Sequence, residues 1–433
     1  MLSAHRIALK PNNKQATYFK KACGVARFAY NWALAEWKSQ YAVHQADPAL
    51  SKPNEAGLRR QLNAIKREHF PWMLEVTKNA PQMAIIQLGQ AFRNFFAGRA
   101  KYPRFRKKGV DDRFTLSNDQ FKVVGKRIRI PCLGWVRMRE SVRFGGKVIS
   151  ATVSRTADRW FVSVTVDAGD LSCRSAESQG ITGVDLGVSA LATLADGTKK
   201  PGPRPHKSLL RRLRRLSRSL SRKLETAKVL AGVEPGEAIP KGRRIPLSQN
   251  SRKIKQRLAR LHARIANIRN DALHKLTTDL TRRYNTIVIE DLNVNGMVRN
   301  RRLARSIMDM GFGEFRRQLL YKAAWRRRQV LLAGHFFPSS KACSECGGIM
   351  TDLPLSVRKW TCPECRTNHD RDHNAAKNLL AWGRAKLAGT ASSAGSQACG
   401  EARLWPWLQG HGETGLDEAG SQLCSCLSRN EQV

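Results

Sequence analysis

The sequence predicts a multidomain α+β protein, and three observations lead to this class. Apolar, β-branched runs alternate with helical segments after residue 178, which predicts a mixed sheet flanked by helices. Short alternating runs separated by Gly, Pro or Asp turns between Phe114 and Val166 predict a small β-domain. Apolar side chains keep one helical face through much of 11–100, which predicts helices there. With 433 residues, the chain has room for two to four domains.

The opening segment predicts a strand from Ala4 to Leu9 that joins the β-domain, so the helices of 11–100 become an insertion. We therefore expect a barrel-like domain formed by 1–10 and 101–175. Aromatic residues within the helical stripes, such as Phe19 and Phe92, are predicted to be core residues. The strands singled out in the β-domain are 121–123, 127–130, 135–138 and 159–166.

The second half predicts a mixed sheet of the RNase H kind over 178–342 and 366–388. Its elements, in chain order, are a strand from Thr182 that returns through Ala190 to Leu194, a basic helical hairpin over 204–280, a strand at 287–289, a basic loop at 295–311, a helix from Phe312 to about Arg328, a strand from Gln329 to Phe337, and a final helix near Asp372. The Gly-, Ser- and Ala-rich residues 389–433 predict a disordered tail.

Three acidic residues fall at the edges of regular structure in this half. Asp185 and Glu290 end apolar runs that predict buried strands, and Asp372 lies in the first turn of the final helix. Carboxylates brought together repel one another, and a pair of divalent cations relieves that repulsion. The alternative is that Asp185 and Asp372 are turn or capping acids and Glu290 is a strand-end charge.

Four of the ten cysteines form two tight pairs. Cys343-x2-Cys346 and Cys362-x2-Cys365 have the spacing of a structural zinc ribbon over 343–365, in which four thiolates hold one zinc ion. Two disulfides or redox pairs are the competing interpretation. The N-terminus lacks the apolar segment of a signal peptide, which favours reduced thiols.

The charge of the chain predicts a polyanionic partner. Lys and Arg number 77 against 34 Asp and Glu, a formal net charge of +43, and nucleic acid is the polyanion that such a charge favours. A membrane surface is the weaker alternative, because the basic residues are spread over several segments and no apolar stretch is long enough to span a bilayer. No Gly-x4-Gly-Lys-Ser/Thr phosphate loop occurs, so the chain is not expected to be an NTP-driven motor.

Basic residues concentrate in three segments that we expect to contact nucleic acid. Between Arg204 and Arg269 there are 20 Lys and Arg and only 3 acids, which favours contact with backbone phosphates over an ordinary solvated face. The predicted contacts are Arg99, Lys101, Arg104, Arg106, Lys107 and Lys108 in a loop with interleaved aromatics, Arg211, Arg215, Arg218, Arg222 and Lys255 in the helical hairpin, and Arg299 and Arg302 in the basic loop.

Taken together, the motifs resemble the RuvC-type nuclease of the transposon-encoded TnpB family, compact relatives of type V CRISPR effectors. The resemblance covers about residues 1–388. The segments that carry it are Gly183-Val184-Asp185-Leu186-Gly187, Ile289-Glu290-Asp291-Leu292, Ser339-Ser340-Lys341-x-Cys343-x2-Cys346-Gly347, Asp370-Arg371-Asp372-x-Asn374-Ala375-Ala376-x-Asn378, Tyr30-Asn31-Trp32-Ala33 and the run from Tyr102 to Gly109.

The resemblance implies an RNA-guided, Mg²⁺-dependent DNA endonuclease. Asp185 would bridge two Mg²⁺ ions, with Glu290 and Asp372 each completing one. It also implies a guide RNA from the transposon end, double-stranded target DNA, and a short flanking motif read by a wedge-like β-domain and a helical recognition domain over 11–100. Gln82, Ser117 and Asn118 are polar candidates for reading that motif. We expect a prokaryotic, cytoplasmic, nucleoid-associated protein that is a monomer in complex with RNA.

Two other functions remain open at this point. A DNA transposase would use the same acids for strand transfer and would need transposon ends but no guide. A catalytically silent RNA-guided repressor would bind without cutting, although all three acids are present.

Overall fold

The computed structural model describes residues 2–169, 180–234, 236–240, 245–354 and 356–391. The chain divides into two compact units. The first comprises Met1–Ser172 and Leu213–Arg264, and the second comprises Cys173–Arg212 and Ile265–Val433. The multidomain α+β class predicted from the sequence is confirmed. Within the described residues, no helix is both long enough and apolar enough to cross a bilayer. Beyond Ala391, the predicted tail lies outside the described residues.

The first unit contains a seven-stranded sheet in which all neighbouring strands are antiparallel. Its strands are β1 (Leu2–Lys10), β2 (Arg113–Ser117), β3 (Lys122–Val124), β4 (Arg127–Ile130), β5 (Gly134–Met138), β6 (Lys147–Thr156) and β7 (Arg159–Asp167), in the spatial order β2-β6-β7-β1-β5-β4-β3. Side chains alternate between buried and exposed along β1, as in a sheet with one face on a core. The small residues of β6, Ser150, Ala151 and Thr152 among them, gave no strong apolar alternation, and the sequence analysis did not single this strand out.

Three helices lie between β1 and β2 in the chain: α1 (Asn13–Ala46), α2 (Glu55–His69) and α3 (Asn79–Phe96). A capping box between Asn12 and Gln15 starts α1. The helices share one apolar core with the sheet, and Phe19 and Phe92 are buried in it, which confirms their assignment as core residues.

The second unit contains a five-stranded sheet with the order β10-β9-β8-β11-β12. The remaining elements of the chain are β8 (Ile181–Asp185), β9 (Ala192–Leu194), β10 (Lys199–Lys200), α4 (Pro205–Leu230), α5 (Gln249–Arg283), β11 (Thr286–Glu290), α6 (Val294–Arg299), α7 (Ala304–Met310), α8 (Phe312–Trp325), β12 (Gln329–Ala333), β13 (Lys359–Thr361), β14 (Asn368–Asp370) and α9 (Arg371–Ala391). Residues 213–230 of α4 and 249–264 of α5 belong to the first unit.

The strands β8, β11 and β12 run parallel, and β9 and β10 extend the sheet antiparallel, which is the mixed arrangement of an RNase H-like sheet. Both faces of β11 are covered. Ile287 and Ile289 pack in a cluster with residues of α5 and α8, whereas Val288 packs with Leu379 of α9. A strand buried on both faces needs an unbroken apolar sequence, which explains the run that precedes Glu290.

The largest differences from the sequence-based predictions lie between residues 295 and 337. Residues 295–311 do not form a loop but two short helices, because Asn293 caps α6 by accepting from the amide of Gly296 and Gly311 ends α7 in a left-handed conformation. α8 ends at Trp325, shortly before Arg327 takes a positive φ of 52°. β12 ends at Ala333, four residues earlier than predicted.

Candidate active site

The three acids predicted from the sequence lie together in the second unit. Asp185 ends β8 and Glu290 ends β11, and these strands are parallel neighbours with Val184 opposite Ile289. Both carboxylates therefore lie at the same edge of the sheet. Asp372 lies in the first turn of α9, the helix that packs on β8. All three line one cavity of about 880 Å³.

The electrostatics of this cavity fit a site for divalent cations. Burial, then the charges of Glu290 and Asp372, raises the pKa of Asp185 well above its usual range, although Arg371 and Arg358 act in the opposite direction. Burial also raises the pKa of Glu290, and the hydrogen bond from Ser339 opposes this effect. Crowded carboxylates that resist ionisation are stabilised by a bound cation, and oxygen ligands of this kind suit Mg²⁺. The acids at this edge of the sheet thus fit the predicted site for two divalent cations.

Hydroxyl and guanidinium groups hold two of these carboxylates in place. The Ser339 hydroxyl donates to Oε1 of Glu290, and the Ser189 hydroxyl donates to Oδ2 of Asp372 at 3.1 Å. On the other oxygen of Asp372, Nη1 of Arg358 lies 3.4 Å from Oδ1. The side chain of Asp372 is only 12 % exposed, so these contacts restrict its orientation.

Two asparagines of α9 connect the acidic helix to the segment that carries Ser339. Nδ2 of Asn378 donates to the carbonyl oxygens of Ser339 and Ala342, both at 2.7 Å. Asn374 donates to the Ala342 carbonyl at 2.7 Å and accepts from the amide of Ser344 at 2.9 Å. Both asparagines are buried. One helix therefore supplies Asp372 and also fixes the residue that orients Glu290.

The backbone after β8 is held by Arg204, which precedes α4. Nη2 of Arg204 donates to the carbonyl oxygens of Val188 at 2.8 Å and Ser189 at 2.6 Å. Asp309 of α7, itself buried, accepts from the first amides of α4, those of His206 at 2.9 Å and Lys207 at 3.0 Å. A carboxylate at this position satisfies amides that a helix N-terminus leaves unpaired. The segment 294–311, which contains α6 and α7, and the start of α4 thus form one wall of the cavity.

The sequence analysis did not assign these supporting residues. Each supporting side chain contacts a group at least fourteen residues away in the chain, and no known sequence motif predicts these contacts. The side chains are those of Ser189, Arg204, Ser339 and Arg358. Ser339 lies in one of the motifs that carry the family resemblance, but its hydrogen bond to Glu290 was not predicted. Arg358 belongs to the ribbon and contacts an acid that follows it by fourteen residues.

The four predicted zinc ligands are also together. The sulfur atoms of Cys343, Cys346, Cys362 and Cys365 all lie within 4.8 Å of one another. The Sγ separations are 3.6 Å for Cys343 with Cys365 and 3.6 Å for Cys346 with Cys362, far longer than a disulfide and close to the spacing of sulfurs in a tetrahedral zinc site. Hydrogen bonds from Thr367 lower the pKa of Cys365 to about 6. Although the backbone hydrogen bond from Gly348 lowers the pKa of Cys346, burial and the other three sulfurs outweigh it and raise that pKa to about 12, so Cys365 ionises more readily than Cys346.

Most of the predicted nucleic-acid contacts are exposed side chains without a carboxylate partner in the described part of the chain. These are Arg99, Lys101, Arg104, Lys107, Lys108, Arg211, Arg215, Arg218, Arg222, Lys255, Arg299 and Arg302. Arg106 differs. Its guanidinium stacks on Tyr30 at 3.7 Å and donates to Gln87 at 2.8 Å, and burial lowers its pKa to about 10. The side chain of Arg106 therefore packs within the fold. The sequence could not reveal this, because interleaved aromatic residues do not show which basic side chain they will cover.

The polar candidates for reading a flanking motif are not together in one hydrogen-bond network. Ser117 accepts from Asn79 at 2.7 Å and donates to Asp119, so its hydroxyl is already engaged. Gln82 lines a small cavity beside Lys66 and Lys78, and Ser117 does not line that cavity.

Comparison with known proteins gives three matching family models. A family described as a probable transposase matches residues 162–301, a Cas12f1-like TNB domain matches 312–379, and a helix-turn-helix domain matches 1–45. In the structure, 1–45 contains β1 and most of α1.

Similar proteins cover most of the chain. A protein named "Putative RNA-guided DNA endonuclease" from Streptomyces pristinaespiralis is 35 % identical over 394 residues, which cover 89 % of this chain and 90 % of that protein. "Putative RNA-guided DNA endonuclease InsQ" from Escherichia coli is 34 % identical over 403 residues, covering 89 % and 94 %. "TnpB-like protein L79" of Acanthamoeba polyphaga mimivirus is 30 % identical over 31 % of this chain and 27 % of its own length. Among solved structures, a Cas12f1–sgRNA–target DNA complex gives a TM-score of 0.48 at 12 % identity and covers 85 % of this chain and 83 % of that chain, a likeness too weak to argue from.

Proposed function

The chain belongs to the TnpB family, and from this premise we propose that it is an RNA-guided, Mg²⁺-dependent DNA endonuclease of the RuvC type. The observation that carries the proposal is the convergence of Asp185, Glu290 and Asp372 in one cavity at the edge of an RNase H-like sheet. Three carboxylates in such a place are costly to a fold unless they hold cations.

Asp185, Glu290 and Asp372 are the residues that hold the catalytic cations, with Asp185 central. Divalent cations held by these acids would supply Lewis-acid polarisation of the phosphodiester, a lower pKa for the attacking water and charge stabilisation for the leaving oxygen. Ser339 and Ser189 orient Glu290 and Asp372 through their hydroxyls. Hydrolysis adds water across one P–O bond of the target strand, and the preset positions of the acids reduce the reorganisation that this step requires.

Arg358 binds the substrate in this proposal. Its side chain is 56 % exposed and lines the cavity, and while Nη1 contacts Asp372 the other guanidinium nitrogens can donate to a non-bridging phosphate oxygen when DNA enters. Arg305 and Lys207 on other walls of the cavity add positive charge that attracts a polyanion.

A guide RNA supplies the sequence specificity, and double-stranded DNA is the target. The formal net charge of +43 predicts tight binding of nucleic acid without sequence specificity, because phosphate contacts carry no sequence information. Base pairing with a guide reads sequence without base-reading side chains, and duplex opening starts beside a short flanking motif. We expect one protein chain for each RNA, associated with the nucleoid. Cys343, Cys346, Cys362 and Cys365 would hold one zinc ion, which would stabilise the ribbon that precedes Asp372 in the chain.

A second candidate function is a DNA transposase, which the description of the family model over 162–301 favours. The two functions differ in what they require. A transposase joins transposon ends to target DNA without a guide, whereas the proposed nuclease cuts only where a guide pairs.

The test of the proposal is a set of single substitutions in the protein reconstituted with RNA from its own locus. Asp185→Ala, Glu290→Ala and Asp372→Ala are each expected to lower Mg²⁺-dependent cleavage by at least about 10³-fold and to leave DNA binding nearly unchanged, since affinity comes from Lys and Arg. Asp271→Asn, at an exposed acid on α5, is the control for loss of one negative charge. Substantial cleavage by Asp185→Ala would overturn the assignment of the metal site.

A further inference from the structure

A second cavity, of about 510 Å³, lies within the first unit and takes no part in the chemistry described above. Five segments of the chain build it: the end of β1, the first turns of α1, the residue after β5, the β6–β7 hairpin, and α5. The residues that line it are Ala8, Leu9, Lys10, Pro11, Ala16, Lys20, Arg139, Arg155, Asp158, Arg159, Trp160 and Gln256.

The charge of this cavity is strongly one-sided. Its five basic residues are Lys10, Lys20, Arg139, Arg155 and Arg159, and none of them forms an ion pair with a carboxylate in the described part of the chain. The one acid in its lining, Asp158, is already neutralised, because Arg260 of α5 donates to its Oδ2 at 2.6 and 2.9 Å. Converging cations repel one another, so an anion bound between them stabilises the arrangement.

Two further features distinguish this cavity from a solvated basic surface. Nε of Arg155 is buried and has no hydrogen-bond partner in the described part of the chain, so this donor is available to a ligand. The floor is rigid and partly apolar, because the buried ring of Trp160 packs against Phe19 with 5.1 Å between ring centroids. At the rim, the exposed amide of Gln256 offers both a donor and an acceptor.

We propose, on the basis of the proposed function, that this cavity binds a backbone phosphate of the RNA partner, together with the sugar next to it. A regular duplex carries its phosphates on a convex cylinder, which contacts protruding side chains and does not enter a recess. A recess accepts a nucleotide from a loop, bulge or chain end, and folded RNA offers such nucleotides. The five cations supply the charge, and the Leu9, Pro11 and Trp160 surface contacts the sugar. The site lies outside the predicted contact residues, none of which lines it.

The test compares two double variants that remove the same charge from the first unit. Lys20→Gln with Arg139→Gln removes two exposed cations of the cavity, and Lys122→Gln with Lys126→Gln removes two exposed cations outside it. The probes are the labelled RNA that co-purifies with the wild-type protein and, separately, a DNA duplex without RNA. Affinity is measured over a series of salt concentrations, and thermal melting checks that both variants fold.

The cavity variant is expected to bind the RNA about tenfold more weakly than the control variant, with a salt dependence shallower by about 0.7 in log–log slope for the one lost phosphate contact. Affinity for the DNA duplex is expected to change equally in the two variants. Equal RNA affinity of the two variants would overturn the proposal, and so would a loss confined to DNA. A wild-type protein that binds no RNA would overturn the proposed function as well, so the two failures are distinguishable.

Discussion

Gly183 lies where the strand that carries Asp185 meets the helix that carries Asp372, and Gly183→Ala tests how closely that contact sets the active site. A Cβ at this position would overlap the carbonyl oxygen of Ala376 and lie 2.6 Å from the amide nitrogen of Leu380, whereas ordinary contact begins at 3.4 Å. Both groups belong to the backbone of α9, so no side chain can rotate to relieve the overlap. The helix must move away from β8 by roughly 1 Å, at a cost on the order of 1–3 kcal/mol of stability.

This movement also displaces Asp372, which lies one turn before Ala376 on the same face of α9. A misplacement of about 1 Å in a catalytic group costs on the order of 10²-fold in rate, so we expect a loss of that size in single-turnover cleavage. Binding of RNA and DNA should remain close to wild type, because no basic residue of the surface changes.

Gly313→Ala is the matched control for this prediction. Gly313 is exposed in the first turn of α8, and a Cβ there meets no atom within 4 Å, so alanine should be neutral or slightly stabilising. The two variants are compared by thermal melting and by single-turnover cleavage at saturating RNA and Mg²⁺. Wild-type cleavage by Gly183→Ala would show that the contact between β8 and α9 does not position the acids.

Three further perturbations address the metals and their support. Asp185→Asn should melt on the order of 2–4 °C higher than wild type in EDTA at neutral pH, because the raised pKa of Asp185 makes its ionised form destabilising. The difference in melting temperature should vanish as the pH falls below the pKa that Asp185 has in the unfolded chain, and Mg²⁺ should stabilise only the wild type. Cys343→Ser should lose stoichiometric zinc in metal analysis and lower both the melting temperature and cleavage; full zinc retention would contradict a four-cysteine site. Ser339→Ala should raise the Mg²⁺ concentration needed for half-maximal cleavage by about tenfold, with recovery in Ser339→Thr and little effect of Ser340→Ala, and an unchanged Mg²⁺ requirement would remove Ser339 from its positioning role.

The sequence predicted the elements whose pattern is local. Asp185 and Glu290 follow apolar runs, and parallel strands buried on both faces require such runs. The cysteine spacing likewise predicted a cage that the structure brings together. In each case, one short stretch of chain contains both the structural signal and the residue that carries the chemistry.

What could not be predicted are contacts between groups far apart in the chain. Ser339 meets Glu290 only because Asn378 of α9 holds its carbonyl group, and no spacing in the sequence reports that connection. Arg106 was predicted to bind nucleic acid, which stays a prediction, but its stacking on Tyr30 of α1 was not foreseen. Whether a basic side chain is exposed, and which group it contacts, depends on the tertiary structure. The sequence alone therefore does not distinguish basic residues that pack within the fold from those that are exposed to bind nucleic acid.

The most direct test of the central claim uses one preparation of protein with two RNAs that differ only in the guide segment. Each complex is given both matched DNA targets, each beside the same set of flanking sequences, in Mg²⁺ and with or without prior RNase treatment. The account predicts that each complex cuts only its own matched target, that exchanging the guides exchanges the targets, and that RNase treatment abolishes cleavage. Site-specific cutting that persists after complete removal of RNA would contradict it.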